Sequence, residues 1–322
     1  MVNSWHDCIK DELQYVEDLM MENLAYRENP ELTEMCQYVI SSGGKRLRPA
    51  LCIMSYNLNG GTEPKVPARV GAAFEIIHSA SLVHDDINDQ GEIRRGRKTL
   101  HKEYSVSKAI IAGDYMFAMG FRLLSGNAPE IVDYIVEASA CMGAGEFVQK
   151  DYEHASSVRM EDYIRIITGK TAKLFEAAAK SGAAIAGAAF DRIEAIGDYA
   201  CEIGLAFQIV DDTLDVTGDS HNTGKAVGTD LLEGKPTLPV IYAMEDPEHG
   251  PSIRRLFEKV DVSMDDVREA LRLIRMTDAV PRCHALAKEY VARAKASLDI
   301  FPDSVHKTAL IGLADYIVSR DR

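Results

Sequence analysis

The stretch "LVHDDINDQGEIRRG", residues 82–96, sets Asp85, Asp86 and Asp89 shortly before two adjacent arginines, Arg94 and Arg95. It continues an apolar run, "IIHSASLV" at 76–83, in which Ile76, Ile77, Ala80 and Val83 recur at helical spacing. Residues four apart on a helix share a face, so Asp85 and Asp89 project together. Carboxylates at the C-terminal end of a buried helix meet the negative pole of its dipole, and that placement calls for a cation. The pattern recurs once: "IGLAFQIV" at 203–210 runs into Asp211, Asp212 and Asp215. Two DDxxD copies at matching helix ends offer hard oxygen ligands. These suit Mg²⁺, which takes one or two carboxylates and completes its shell with water and substrate phosphate. A calcium loop beginning at Asp86 fails, because its twelfth position is Arg97, where a bidentate glutamate is required.

The 322 residues are 46% hydrophobic, enough for a sizeable core in one large domain or two ordinary ones. A net charge of −14 disfavours nucleic acid as a partner. It leaves anionic substrates open, since local basic clusters can invert the field. Cys8, Cys36, Cys52, Cys141, Cys201 and Cys283 are widely spaced with no CxxC pair, which reads as reduced cysteines of an intracellular protein. The N-terminal "MVNSWHDCIKDELQ" holds no apolar signal core. The longest apolar stretch, "GAAIAGAAF" at 182–190, is about half the ~20 residues a membrane helix needs. The expectation is a cytoplasmic protein without a membrane span.

No proline interrupts the chain between Pro67 and Pro129, or between Pro129 and Pro236. Those spans are rich in helix formers, and Ile164, Ile167, Leu174 and Ala178 repeat at three and four. Alternating strand patterns are scarce, and there is no fixed repeat or low-complexity linker. The fold class expected is all-α: a single-domain helical bundle over 1–322. Its motif core runs from about 40 to 245, and a more charged helical cap from about 247 to 322.

Each acidic cluster has basic company. "SSGGKRLRP" at 41–49 supplies Lys45, Arg46 and Arg48, and "ITGKTAKLF" at 167–175 supplies Lys170 beside Thr171. "TGKAVGTDLLEGKPTLP" at 223–239 supplies Lys225 and Lys235. Gly-flanked cations near acidic metal ligands imply an anion shared between them. Diphosphate fits, since its oxygens bridge Mg²⁺ and also accept from Arg and Lys. The GGK run lacks the GxxxxGK[ST] spacing of a nucleotide loop, and no Gly-rich loop follows a strand, so a nucleotide fold is not supported.

Together these stretches resemble the trans-isoprenyl diphosphate synthase (polyprenyl synthetase) family, and within it the geranylgeranyl diphosphate synthase-like members. Five motifs carry the resemblance, in order: "GGKRLRP", "IHSASLVHDDINDQGEIRRG", "GKTAKLFEAA", "FQIVDDTLD" and "GKAVGTDLLEGKPTLP". It implies the isoprenoid synthase type I fold, a helical bundle around a deep central cavity, usually a homodimer. It also implies head-to-tail prenyl transfer with Mg²⁺, three ions once substrate is bound. Carried over by motif, Asp85, Asp89, Asp211 and Asp215 hold metal. Arg94, Lys170, Lys225 and Lys235 clamp the allylic diphosphate. Lys45, Arg48, His78 and Arg95 hold isopentenyl diphosphate, and Thr171 and Gln208 face the reacting carbons. Asp86 and Asp212 complete the two catalytic motifs. No motif residue is broken, which argues against a non-catalytic subunit. The intact second DDxxD argues against a terpene cyclase.

Product length is read from the helix before Asp85. In the family, a bulky residue four or five positions before the motif stops growth at fifteen carbons. Here those positions are Ser81 and Ala80, both small. Phe74, Ile77 and Ser81 share a face with Asp85. Phe74 lies eleven residues back, roughly 16 Å along the axis, and is the candidate floor. That depth suggests a product of about twenty to twenty-five carbons, at roughly one isoprene unit per helical turn. The facing segment "GDYMFAMGF" at 113–121 is a second place where growth could stop.

Overall fold

A computed structural model describes residues 5–218 and 227–320. The chain forms two compact units: Met1–Ser139 with Leu174–Gly197 and Leu298–Gly312, and Ala140–Lys173 with Asp198–Ser297 and Leu313–Arg322. Nearly all the regular structure is α-helical, as expected. No helix among the described residues is long and apolar enough to cross a membrane. All six cysteines are free thiols.

The first unit is built on α1 (Lys10–Asn23), α2 (Pro30–Ser41), α3 (Leu47–Leu58), α4 (Lys65–Asn88), α5 (Leu100–Glu103), α6 (Val106–Leu123) and most of α9 (Lys173–Ile185). α4 is its central helix and packs on α1, α2, α3, α5 and α6. Residues Val70–Ile77 are buried without interruption, as a helix surrounded on all sides requires. Pro67 sits in its first turn, where no amide donor is lost.

Glycines set the close approaches. A Cβ on Gly120 of α6 would stand 2.6 Å from Ile77 Cγ1 of α4, and one on Gly113 would run into the His84 ring. The segment 113–121 therefore meets α4 partly through bare backbone. Gly182 of α9 likewise lies against the Cys52 carbonyl of α3, backbone to backbone. Gly182→Ala is expected to destabilise the protein by about 1–3 kcal/mol, the usual cost of overpacking. A denaturation midpoint equal to wild type would refute this.

The only strands among the described residues, β1 (Ile93–Arg94) and β2 (Arg97–Lys98), pair antiparallel as a small hairpin. Its two-residue turn is Arg95–Gly96, both at positive φ, 51° and 75°. Such tight turns need this backbone, which arginine adopts at a cost.

The second unit contains α8 (Met160–Ile167), a π-helical turn at Thr168–Ala172, and the later part of α10 (Phe190–Thr217). It also holds the helices Leu238–Met244, Gly250–Phe257, Met264–Ile274 and Ala279–Ser297. Leu238–Met244 is buried throughout and packs against the other three. These three each bury one face and expose charge on the other.

Candidate active site

In the first unit, α4 ends where the first aspartate motif begins. Asp89 is the C-cap and donates its backbone N–H to the Asp85 carbonyl at 2.8 Å. Asp85 and Asp89 lie one turn apart. Asp86 points elsewhere: it is buried, and its Oδ1 accepts from Arg94 Nε at 2.7 Å. Burial pushes the Asp86 carboxyl up, and Arg94 pulls it back. The middle aspartate of this motif thus holds an arginine.

The hairpin that carries Arg94 and Arg95 is tied down at its base. Thr99 donates N–H to the Glu92 carbonyl at 2.9 Å and Oγ1 to the Gly91 carbonyl at 2.6 Å. Tyr38 of α2 donates to the Lys98 carbonyl at 2.9 Å, and Arg97 lies 5.4 Å over the Tyr38 ring. Arg95 then reaches the Gly43 carbonyl. Its guanidinium covers Gly44, where a Cβ would stand 3.1 Å from both terminal nitrogens. Gly43 and Gly44 lie at positive φ, 86° and 149°, which is why the turn before α3 is glycine, with exposed Lys45 beside it.

Arg46 is structural. At φ 50° it turns inward, pairs with Glu17 at 2.5 Å and Glu75 at 3.0 Å, and donates to the Ile40 carbonyl at 2.8 Å. Arg48 differs. It is buried, lies 4.9 Å over the Phe175 ring, and its Nε has no hydrogen-bond partner. Burial lowers its pKa to about 10, Glu75 works in the opposite direction, and Arg95 adds to the lowering. His78 is held well below the ordinary histidine range by burial and by the charges of Arg48, Arg95, Arg94 and Arg46. It is therefore neutral at pH 7. Three of the four residues assigned from sequence to isopentenyl diphosphate thus lie together: the cations Arg48 and Arg95 beside a neutral His78, opposed by buried Glu75. Phe74, Ile77 and Ala80 are fully buried on α4, and Ser81 donates to the His78 carbonyl at 2.9 Å.

In the second unit, Lys170 and Thr171 occupy the π turn. Such wide turns are rare and concentrate at functional sites. The turn crosses α7 (Pro129–Asp151) through Gly145 and Gly169. A Cβ on either would stand 2.8 Å from backbone atoms of the other segment. The crossing places Lys170 in an ion pair with Glu146 and 3.5 Å from Gln149 Oε1. Thr171 donates to Gln208 Oε1 at 2.8 Å, and Gln208 Nε2 donates to Asp212 Oδ1 at 2.7 Å. Tyr163 donates to Asp212 Oδ2 at 2.7 Å. Burial, and next the charge of Asp230, push the Asp212 carboxyl well above the usual range, while Tyr163 and Gln208 pull it down.

Asp211 is half-exposed and accepts from Arg320 at 2.9 Å. Arg320 is buried and stacks 4.4 Å over Phe207. Asp215 accepts from the backbone N–H groups of Thr229 at 3.3 Å and Asp230 at 3.1 Å, so it organises the closing segment. There Lys235 pairs with Glu233 at 2.6 Å, and the His154 ring packs against Gly234. Lys225 lies outside the described residues.

Sequence reasoning passed over Glu75, Glu146, Tyr163 and Arg320. Glu75 had a signal, a lone carboxylate inside the apolar run "GAAFEIIH". Arg320 lay in a C-terminal stretch that carried no motif.

A family model described as polyprenyl synthetase matches residues 29–274. Geranylgeranyl diphosphate synthase of Methanosarcina mazei is 34% identical over 98% of this chain and 98% of its own. Nonaprenyl diphosphate synthase of Mycobacterium tuberculosis is 33% identical over 95% of this chain and 91% of its own. The crystal structure of a polyprenyl synthase from Caulobacter crescentus, complexed with calcium and isoprenyl diphosphate, matches at a TM-score of 0.94. It is 32% identical and covers 100% of this chain and 98% of that one. The all-α fold is that of the isoprenoid synthases, and the class is trans-prenyltransferase. The chain belongs to the polyprenyl synthetase family and is an enzyme that makes prenyl diphosphates.

Proposed function

We propose that the protein elongates prenyl chains head to tail. It joins isopentenyl diphosphate to an allylic diphosphate (dimethylallyl, geranyl or farnesyl), with geranylgeranyl diphosphate as the product. The observation that carries this reading is the cluster of cationic Arg48 and Arg95 around neutral His78, with a buried Arg48 Nε that no protein acceptor satisfies. A cyclase has no use for such a second anion site. A longer product, of twenty-five carbons or more, is the second reading. The octaprenyl and nonaprenyl synthases among the relatives favour it.

Asp85, Asp89, Asp211 and Asp215 would hold divalent metal, Mg²⁺ in our reading, three ions with substrate bound. The donor set fits. The pairs are hard oxygens one turn apart on α4 and α10. That suits a metal whose shell is finished by water and substrate oxygens. Held by these aspartates, such ions would supply positive charge to offset that building on the leaving diphosphate as the allylic C–O bond ionises. The chain's own groups do the rest. Arg94, oriented by Asp86, clamps the same diphosphate with Lys170, Lys225 and Lys235. Lys45, Arg48, His78 and Arg95 hold isopentenyl diphosphate, and its fixed double bond replaces a bimolecular search. Thr171 and Gln208 present oxygen to the developing cation. Buried Phe74, Ile77 and Ala80 keep water away from it.

We read the whole chain as one catalytic domain, since the family match runs unbroken through both units. We also read it as a cytoplasmic homodimer. Exposed Val106, Ile110 and Ile111 on one side of α6 support that association. The test is an incubation with labelled isopentenyl diphosphate, Mg²⁺ and each of the three primers, followed by product sizing. Twenty-carbon product is expected. Forty-carbon or longer product selects the second reading, and no incorporation from any primer overturns both.

A further inference from the structure

We propose that Tyr163 is a positioning residue for the transfer step: through the carboxylate of Asp212 it fixes the amide of Gln208 and thereby aims the hydroxyl of Thr171. The proposal rests on the reading that Thr171 and Gln208 face the reacting carbons.

The chain of donors has one direction. Thr171 donates to Gln208, Gln208 donates to Asp212, and Tyr163 donates to the other oxygen of Asp212, at 2.8, 2.7 and 2.7 Å. A glutamine amide is nearly symmetric in shape and could turn over. Here its NH₂ faces a carboxylate and its oxygen faces Thr171. The Asp212 oxygen nearest Gln208 accepts from that NH₂, and this contact locks the orientation. Thr171 then directs its single proton inward, and its lone pairs remain on the other side. A hydroxyl held this way presents its negative end to a cation, with no reorganisation during the reaction.

Tyr163 closes the far end. It is buried, and its hydroxyl holds Asp212 Oδ2, leaving Oδ1 for Gln208. Without that hydroxyl, a buried carboxylate oxygen loses its partner, and the group gains by rotating to share Gln208 between both oxygens. The amide would then no longer have one fixed place.

The backbone is arranged to bring these groups together. Gln208 and Asp212 are four apart on α10 and share a face. Tyr163 and Thr171 are eight apart, about 80° out of phase on a regular α-helix. The π turn at Thr168–Ala172 absorbs one residue, which reduces the offset to roughly 20°. Both side chains thus reach the same pair on α10. A π turn at this position, which the aspartate motifs alone do not require, is explained by the network.

The test is steady-state kinetics on the full chain with Mg²⁺, farnesyl diphosphate and isopentenyl diphosphate. Tyr163→Phe keeps the ring and removes only the hydroxyl. It is expected to lower kcat about tenfold, the effect of leaving one buried oxygen without its hydrogen-bond partner, with KM for both substrates within about twofold. A merely structural tyrosine would instead lower thermal stability and leave kcat per folded molecule unchanged, and that result overturns the proposal. In a Thr171→Val background the same substitution is expected to cost nothing further, because the chain it acts through is already cut. A tenfold loss persisting there also overturns the proposal. Wild-type kcat in Thr171→Val alone overturns the underlying reading of Thr171, whatever Tyr163 does. Asp212→Asn serves if Tyr163→Phe does not fold. An asparagine there is a donor on one side, so unlike the carboxylate it no longer holds the Gln208 amide and the Tyr163 hydroxyl in one fixed arrangement, and at least a tenfold loss of kcat is expected. Full activity in that variant removes the orienting role.

Discussion

Asp85→Ala lowers turnover by about 10³-fold or more, with the fold intact. The expectation follows from where Asp85 stands. It ends the central helix of the first unit, one turn from Asp89, and the Asp89 N–H holds its backbone carbonyl at 2.8 Å. The proposed role is to hold metal against a leaving diphosphate. Stabilisation of that kind contributes several kcal/mol to the barrier, and ~4 kcal/mol corresponds to roughly 10³-fold. Little stability is at stake, because a C-terminal carboxylate already opposes the helix dipole. Asp86→Ala is the comparison. Asp86 is buried against Arg94 at 2.7 Å, so its loss frees an arginine and acts mainly on the KM for the allylic substrate. Diphosphate release from farnesyl and isopentenyl diphosphates, with circular dichroism as the fold control, measures both. If Asp85→Ala keeps more than a tenth of wild-type turnover, the metal assignment is wrong.

The same pair shows what a spacing pattern can and cannot carry. The period of three to four in "IIHSASLV" predicts a buried helix, and DDxxD at its end places two carboxylates on one side. Both follow from backbone geometry alone. The middle aspartate is different, since its direction depends on what is packed behind the helix. In the first motif that neighbour is Arg94, and in the second it is Tyr163. The partner comes from a distant part of the chain in the second case, so periodicity is silent on it.

The hairpin was equally hidden. "DQGEIRRG" reads as a loop, because two-residue strands are too short to alternate and arginine is rarely found at positive φ. Its shape comes from anchors elsewhere: Tyr38 on Lys98, and Arg95 on Gly43. The π turn has the same origin. "TGKTA" is a weak helix former but names no turn type, and the Gly145–Gly169 crossing and the reach to Gln208 favour the wider turn. Arg320 sits on Asp211 across 109 residues of sequence, a pairing no local pattern encodes.

Phe74→Ala lengthens the product by about one isoprene unit. Phe74, Ser81 and Asp85 fall within about 40° of one another around α4, so a chain anchored at Asp85 and growing along that stripe passes Ser81 and meets the Phe74 ring. One turn deeper lies Val70, also buried, which becomes the new stop after about 5.4 Å. The shift is therefore bounded, from twenty carbons to twenty-five. Ile77 is a weaker candidate for the floor, because it packs against α6 at Gly120. The rival account is that Phe74 is only a core aromatic. Its removal would then cost about 3–5 kcal/mol in stability and leave the products alone. The two accounts separate in one assay, chromatographic sizing at a temperature where the variant stays folded. Phe74→Leu refines the test, since it keeps most of the packing while shortening the side chain. A floor predicts a mixed product distribution there, whereas a core residue predicts the wild-type one, because a ring that blocks by length acts in proportion to how far it projects.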